Sequence, residues 1–234
     1  MTTQVQEKQA EDTLFGLTAK ELANLHNWNP HYSTPSEAWI KNGLLCETFL
    51  YCTEYDNPRE NDFNLGTMIC GNRSCDYGDE QLTGEEEGCE SMQDVEGWLI
   101  RERDAVICLP LAMYQHSGTS IYVGSSYDRW DGGLLGYIYT TRARICEMYG
   151  VKKVTKAIRE RAEAELETEV SNYNAWINGM VYEYQVTLVS KCGECGDFEF
   201  EESDCGGGGY FDVDDAIEEA NAEAERWAAK VIED

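Results

Sequence analysis

The sequence predicts an α+β fold: a mixed or antiparallel central sheet with a long acidic helix and a C-terminal acidic helix packed on it. Three stretches carry that prediction. Val106 to Thr141 holds the longest apolar runs in an otherwise polar chain, broken by turn signals at His116-Ser117-Gly118 and Asp131-Gly132-Gly133 into three strands. Residues 155 to 178 place Ile158, Ala162, Leu166, Val170, Tyr173 and Ile177 three and four apart, the spacing of one helix side. Val181 to Ser190 alternates like a strand and is followed by a partner strand and a last helical segment.

Taken in order, residues 1–13 are polar and without pattern. Leu14 to His26 reads as a helix, with Thr18 as N-cap and Glu21 as its capping-box partner. Asn29-Pro30 and Thr34-Pro35 interrupt regular structure, Ser36 to Trp39 reads as a short helical turn, and Leu44 to Tyr55 as a strand. Met68 to Cys70 is a short strand, Asp76 to Glu90 an acidic loop, and Met92 to Glu102 a helix with Trp98 and Leu99 turned inward. The near-continuous apolar run from Val106 to Tyr114 suits a strand covered on both faces, whereas Leu134 to Tyr139 alternates like a half-buried one. Arg142 to Tyr149 is a short helix closed by Gly150, and Gly179 closes the long helix begun by Thr155. Phe198 to Glu202 forms a hairpin with Val181 to Ser190, Gly206 to Gly209 is a flexible joint, and Asp212 or Asp214 opens the last helix, with Ile217, Ala220, Trp227 and Val231 inside. No internal repeat is present. The expected division is an extension over 1–45 and a single domain over 46–234.

Charge is the compositional outlier. Asp plus Glu number 45 against 18 Lys plus Arg, a net charge of −27. Residues 1–100 carry 19 acids and 5 bases, residues 101–161 carry 6 and 10, and residues 162–234 carry 20 and 3. A slightly basic middle thus lies between two acidic ends. Such a chain is a poor direct ligand for nucleic acid or an anionic membrane surface. Two origins fit the acidity: a high-salt environment, which the presence of only 8 Lys favours, or a binding surface for a basic partner. The six Trp and fourteen Tyr argue against a disordered acidic segment. No apolar leader opens the sequence and no run reaches a membrane-spanning length of about 20 residues, so the expectation is a soluble, cytoplasmic protein whose ten cysteines are thiols or metal ligands.

Cys192-Gly-Glu-Cys195 is a C-x-x-C pair on a turn between two strands, half of a zinc site in its spacing. Cys205 is the candidate third ligand, and Cys70, Cys75 or Cys89 could complete a structural zinc. A redox pair is the weaker reading, because no helix follows to lower a thiol pKa. Cys46, Cys52, Cys108 and Cys146 sit among apolar residues and read as core.

An enzyme reading gathers Arg59, Glu60, Asp79, His116 and Asp131 around one polar pocket, with His116 as the base and Ser117 beside it. Adjacent Ser and His rarely face each other as a nucleophile pair needs, and no Lys-Ser/Thr follows Gly206 to Gly209 as in a phosphate-binding loop. Arg101, Arg103, Arg142, Arg144, Lys152, Lys153 and Lys156 could line up as a basic strip, or neutralise the acidic ends within the fold or across a homodimer.

The acidic helices point most directly to a function. Glu160, Glu163, Glu165, Glu167 and Glu169 crowd the long helix, with Glu163/Glu167 and Glu165/Glu169 spaced i,i+4. Neighbours at that spacing stand about 6 Å apart along a helix axis. Glu218, Glu219, Glu223 and Glu225 give the last helix a second array, and no Lys follows these acids at i+4 to balance them. Carboxylates on a rigid helix at that pitch can occupy a groove built for the phosphates of DNA.

Several motifs resemble a family of bacteriophage and mobile-element accessory proteins: Asn57-Pro58-Arg59-Glu60, Asn64-Leu65-Gly66-Thr67-Met68, Gly78-Asp79-Glu80-Gln81, Leu109-Pro110-Leu111, Tyr114-Gln115-His116-Ser117-Gly118, Trp130-Asp131-Gly132 and Gly136-Tyr137-Ile138-Tyr139. The likeness spans about residues 56 to 210. Members of the family often carry Asp where Gln115 stands and Ser where Gly133 stands. It implies a phage accessory role and brings no activity with it. Together with the acidic helices, it leads to the expectation of an inhibitor that mimics DNA towards a basic host protein, a DNA-binding or defence complex. An enzyme around His116 and a zinc-stabilised phage adaptor are the alternatives.

Overall fold

The computed structural model describes residues 13–26, 35–50, 55–71, 76–84, 89–116, 118–124, 132–203 and 206–233, with side chains through residue 230. In chain order the elements are β1 (Thr13–Leu14), β2 (Leu17–Thr18), α1 (Ala19–His26), β3 (Glu37–Lys41), β4 (Leu44–Leu50), β5 (Thr67–Cys70), β6 (Glu80–Gln81), α2 (Val95–Glu102), β7 (Ala105–Gln115), β8 (Thr119–Val123), β9 (Gly132–Thr141), α3 (Arg142–Tyr149), α4 (Lys156–Ile177), β10 (Tyr182–Lys191), β11 (Phe198–Glu202), β12 (Gly207–Tyr210) and α5 (Val213–Glu233). Short 3-10 turns at Pro58–Glu60 and Met92–Asp94 precede β5 and α2. The α+β class holds, but the sheet is divided into two, each carrying one of the two long helices.

The chain forms two compact units instead of an extension and one domain. Unit 1 joins residues 1–55 to 179–234, and unit 2 is residues 56–178. The segment before residue 45 is no appendage, because β3 pairs antiparallel with β4 inside the unit 1 sheet.

In unit 1 the strands run β11-β10-β4-β3, with β12 also on β10, and every pairing is antiparallel. Leu44, Cys46, Tyr184 and Val186 face Ala220 and Ala224 of α5 on one side of the sheet. Leu45 and Val189 face Ala19 and Leu22 of α1 on the other. Because successive side chains in a strand point to opposite faces, β4 serves both cores.

Unit 2 has the strand order β6-β5-β9-β7-β8, with β5–β6 the parallel pair. It too is covered on both sides. Leu111, Ile121, Leu135 and Ile138 pack with Ile145 of α3 and with Ala162, Leu166, Val170 and Tyr173 of α4. Ile69, Tyr137 and Tyr139 pack with Val95 and Leu99 of α2. The expectation for Val106 to Tyr114 is met, while Leu134 to Tyr139 lies between β5 and β7 and is buried on both faces from Leu135 to Thr140 rather than on one. Gly136 marks where β9 meets β5 most closely: a Cβ there would stand 2.0 Å from the Ile69 carbonyl oxygen.

Three local expectations change. The first helix starts at Ala19, because Leu14 and Leu17 lie on a two-strand ribbon turned by Phe15 and Gly16, both at positive φ. Its N-terminal box is as expected: the Thr18 amide donates to Glu21 Oε2 at 2.8 Å and the Glu21 amide to Thr18 Oγ1 at 3.3 Å. Ser36 to Trp39 leads into strand β3 rather than forming a helical turn. The deciding signal is Asn42-Gly43, with φ of 52° and 77°, a two-residue hairpin turn that folds β3 onto β4. Gly206 to Gly209 is no joint either, since β12 finds its backbone partner in β10 around Tyr182–Tyr184. Thr155 caps α4, accepting from the Ile158 amide at 3.3 Å, and Gly150 closes α3 in the left-handed conformation at φ 63°. The expected turn at Asp131 and the inner position of Val231 fall outside the described residues and side chains.

Candidate functional site: the acidic helices and the buried ion clusters

The two glutamate arrays have different fates. On α4, Glu169 turns inward and is 9% exposed. Its Oε2 accepts from Arg59 Nη1 at 2.8 Å, and its two oxygens accept from the amides of Leu65 at 2.5 Å and Gly66 at 3.2 Å. Arg59 is 8% exposed and also holds Asp79 in two bonds, Nε to Oδ1 at 2.9 Å and Nη2 to Oδ2 at 2.6 Å. It donates as well to the Gly66 carbonyl at 2.7 Å, and Asp79 in turn accepts from the Met68 amide at 2.7 Å. Three sequence motifs, around Arg59, Gly66 and Asp79, therefore meet as one clamp that ties two loops and β5 to the middle of α4.

Burial drives the Glu169 carboxyl above its ordinary value against the pull of Arg59 and the two amides. Burial also works against the Arg59 charge, but Asp79 and Glu169 more than restore it, so its pKa rises. The two shifts disagree about the pair: that of Arg59 favours the ionised bridge and that of Glu169 opposes it. The described polar neighbours of the Glu169 oxygens are donors, which lessen that rise without cancelling it.

The remaining α4 acids are only partly free. Lys156 lies 3.6 Å from Glu160 and Arg159 lies 2.9 Å from Glu163, both i,i+4. The balancing cations missing after these glutamates are therefore present one turn before them. Glu165 and Glu167 are exposed and, among the described residues, have no cation within 4.0 Å. The proposed carboxylate face on α4 shrinks to these two, because the helix spends Glu169 on its own core and pairs Glu160 and Glu163.

On α5, Ala216, Ala220 and Ala224 form the buried stripe. Glu223 is the inward exception at 5% exposed, bonded by Arg226 Nε at 2.9 Å, and it too leaves the proposed surface. Asp214, Asp215, Glu218, Glu219 and Glu225 are exposed. At 3.6 residues per turn these five occupy about 140° of helix arc and about 16 Å of length. Arg226 stands 3.9 Å from Glu219 and Lys41 stands 3.0 Å from Glu225, both at the surface where such pairs contribute little.

Unit 1 has a buried ionic cluster that the sequence reading missed. His26 Nδ1 meets Glu47 Oε2 at 2.7 Å, with Glu47 1% exposed, and its Nε2 lies 3.9 Å from Glu202. The His26 ring stacks on Phe200 at 4.7 Å. The available signal was a Glu at an inward position of an apolar strand, Glu47 in Leu44–Leu50, which needs a partner.

Of the residues expected around His116, the structure brings Arg59 and Asp79 together. Arg59 and Asp79 meet but are saturated by each other and by Glu169. Glu60 is exposed on its 3-10 turn, His116 stacks on Tyr114 at an exposed strand end, and Asp131 lies outside the described residues. Of the seven basic residues expected as a strip, Arg103, Arg142, Arg144 and Lys156 gather. Three adjoining clefts in unit 2, of about 310, 600 and 230 Å³, are lined in part by Arg103, Arg142, Arg144, Lys156 and Arg159. Most of these cations are engaged within the fold, Arg103 with Glu80 at 3.1 Å and Arg144 with the Asn64 carbonyl at 2.7 Å.

Cys192 and Cys195 sit on the β10–β11 turn, half-buried and exposed respectively, and Cys205 lies outside the described residues. Burial pushes the thiols of Cys46, Cys70 and Cys108 up to about 12, as suits core residues. Among the described residues no three His, Cys, Asp or Glu side chains gather into a metal-binding group. No helix of the described residues is long and apolar enough to cross a membrane.

Fold and surfaces define a two-unit α+β protein, each unit a sheet between helices, with the densest exposed acids on the last helix. Comparison with known proteins found no matching family model, no matching curated protein and no matching solved structure.

Proposed function

We propose that the protein acts by binding in the cytoplasm of a host cell, presenting the outer face of α5 as an anionic surface that takes the place of DNA on a basic host protein. The supporting observation is the set of five exposed acids on α5, carried on a helix whose alanine stripe is fixed against the unit 1 sheet. Unit 1 as a whole has 23 acids and 6 bases, so its field attracts a basic groove over more than the contact itself. The resemblance to phage accessory proteins makes a DNA-binding or defence protein the target class. Glu165 and Glu167 of α4 are a secondary contact at most, since their neighbours are neutralised within unit 2.

The test replaces Asp214, Asp215 and Glu218 by Lys in one variant and Glu165 and Glu167 by Lys in another. Each is used to capture proteins from host lysate at low and high salt, and the captured protein is then assayed for displacement of DNA. The expected result is that wild type and the α4 variant bind in a salt-sensitive way and release DNA from the captured protein, while the α5 variant loses both properties at least tenfold. An α5 variant that still binds and displaces DNA removes the proposal.

A further inference from the structure

The three clefts of unit 2 run into one another. The 310 and 600 Å³ clefts share Arg103 and Thr141, and the 600 and 230 Å³ clefts share Val106 and Arg142. Local chain geometry makes the opening. Ala105 pairs with Thr141 and Ile107 with Thr140, which leaves Val106 as an extra residue bulged from the β7–β9 ladder. Thr141 ends β9 and caps α3, while Thr155 caps α4. The first turns of both helices therefore border the groove, one through Arg142 and Ala143, the other through Lys156 and Arg159.

The charge of this groove reverses that of the chain. Arg103, Arg142, Arg144, Lys156 and Arg159 line it against one acid, Asp104, in a protein of net charge −27. Four of the five cations have carboxylate partners, Glu80, Glu147, Glu160 and Glu163, and none of those acids lines the groove. These pairs lie at the surface, where an ion pair contributes little and yields to a competing anion. Arg142 differs. It is exposed, stands where two clefts join, and among the described residues has no acid within 4.0 Å. A guanidinium can donate to two phosphate oxygens at once. Arg142, Lys156 and Arg159 together line the 230 Å³ cleft, and the adjoining cleft of about 600 Å³ has an apolar wall of Val106, Ala143 and Cys146. That volume suits a small organic ligand. A long nucleic acid leaving the groove would meet the exposed Glu147, Glu160 and Glu163, whereas a compact anion would not.

We propose that this groove binds a small organic phosphate, with the phosphate among Arg142, Lys156 and Arg159 and the organic body against Val106, Ala143 and Cys146. The site belongs to unit 2 alone and is separate from the α5 surface. The contact is ionic at a solvent-open cleft, so affinity falls as salt is added.

The experiment is calorimetric titration of the full-length chain with adenosine triphosphate (ATP), and with inorganic triphosphate as a similar anion without an organic body. The expected result is saturable binding of one ATP per chain, tighter than inorganic triphosphate and weakened by salt. Arg142→Glu should weaken ATP binding by about tenfold or more. Arg101→Glu makes the same change in net charge at an exposed position outside the groove and should leave affinity within about twofold. Both variants should keep the far-ultraviolet circular dichroism of the wild type. Bound ATP should slow the alkylation of Cys146, read by peptide mass spectrometry, and leave that of the exposed Cys195 unchanged. Absence of ATP binding, inorganic triphosphate binding as tightly as ATP, equal losses in Arg142→Glu and Arg101→Glu, or Cys146 alkylation that ATP does not change overturns the proposal. So does a single-stranded oligonucleotide that binds more tightly than ATP.

Discussion

The two units solve one problem differently. Each has a five-stranded sheet covered on both faces, and each buries a carboxylate that a sheet core should not tolerate. Unit 2 neutralises Glu169 and Asp79 with Arg59, a cation at every pH a protein meets. Unit 1 sets Glu47 against His26, which is charged only when protonated. Unit 2 has 12 bases for its 22 acids and uses several of them internally, whereas unit 1 has 6 for its 23 and leaves most acids facing water. The lesson is that local glutamate density does not separate structural acids from displayed ones. What separates them is whether the fold brings a cation to the same helix turn.

The sharpest way to break this contrast is Arg59→Ala. It strands Glu169 and Asp79 in a buried site and should destabilise unit 2 by about 3–5 kcal/mol. Hydrogen exchange should rise first in β5, β9 and α4 while β4 and β10 stay protected, and uniform exchange would show that the clamp is not local to unit 2. His26→Ala leaves Glu47 without its 2.7 Å partner and should cost about 1–3 kcal/mol, read by denaturant titration with protection lost in β4 and α1. Arg226→Ala tests the displayed helix. The Arg226 side chain is 55% exposed whereas that of Glu223 is 7% exposed, so denaturant titration should show a smaller loss than for either of the two enclosed pairs.

The smallest effect sharpens the account of Glu169. Its pKa is raised in the fold above the ordinary 4.5, so the folded state binds the proton more tightly than the unfolded chain does. Its contribution is therefore most favourable below pH 4.5 and declines as pH rises through the window between 4.5 and the raised value. The stability of wild type minus that of Glu169→Gln should fall across that window in pH-dependent denaturation. A difference that rises there would show that Arg59 and the amides outweigh burial.

Much of the fold was legible because its signals are local. Thr155, Gly150, the Thr18–Glu21 box and the four-residue periodicity of α4 act within a turn or two of chain, and each is where the pattern placed it. β3 is legible too, through Asn42-Gly43, whose two-residue turn outweighs the helical signal of Ser36 to Trp39. The site was harder to read. Glu163 and Glu169 look alike in sequence, and only the arrival of Arg59, 110 residues away, makes Glu169 a core residue.

By itself the sequence determined the α+β class, the long helices and their caps, the acidity and the C-x-x-C turn, because periodicity, turn chemistry and charge are properties of neighbouring residues. The tertiary structure alone decided that the described residues form two five-stranded sheets in two units, that three scattered motifs form one buried clamp, and that α5 and not α4 carries the larger exposed acidic face. Those outcomes depend on pairings between distant segments, whose energies come from burial and partner geometry that no short stretch of chain encodes.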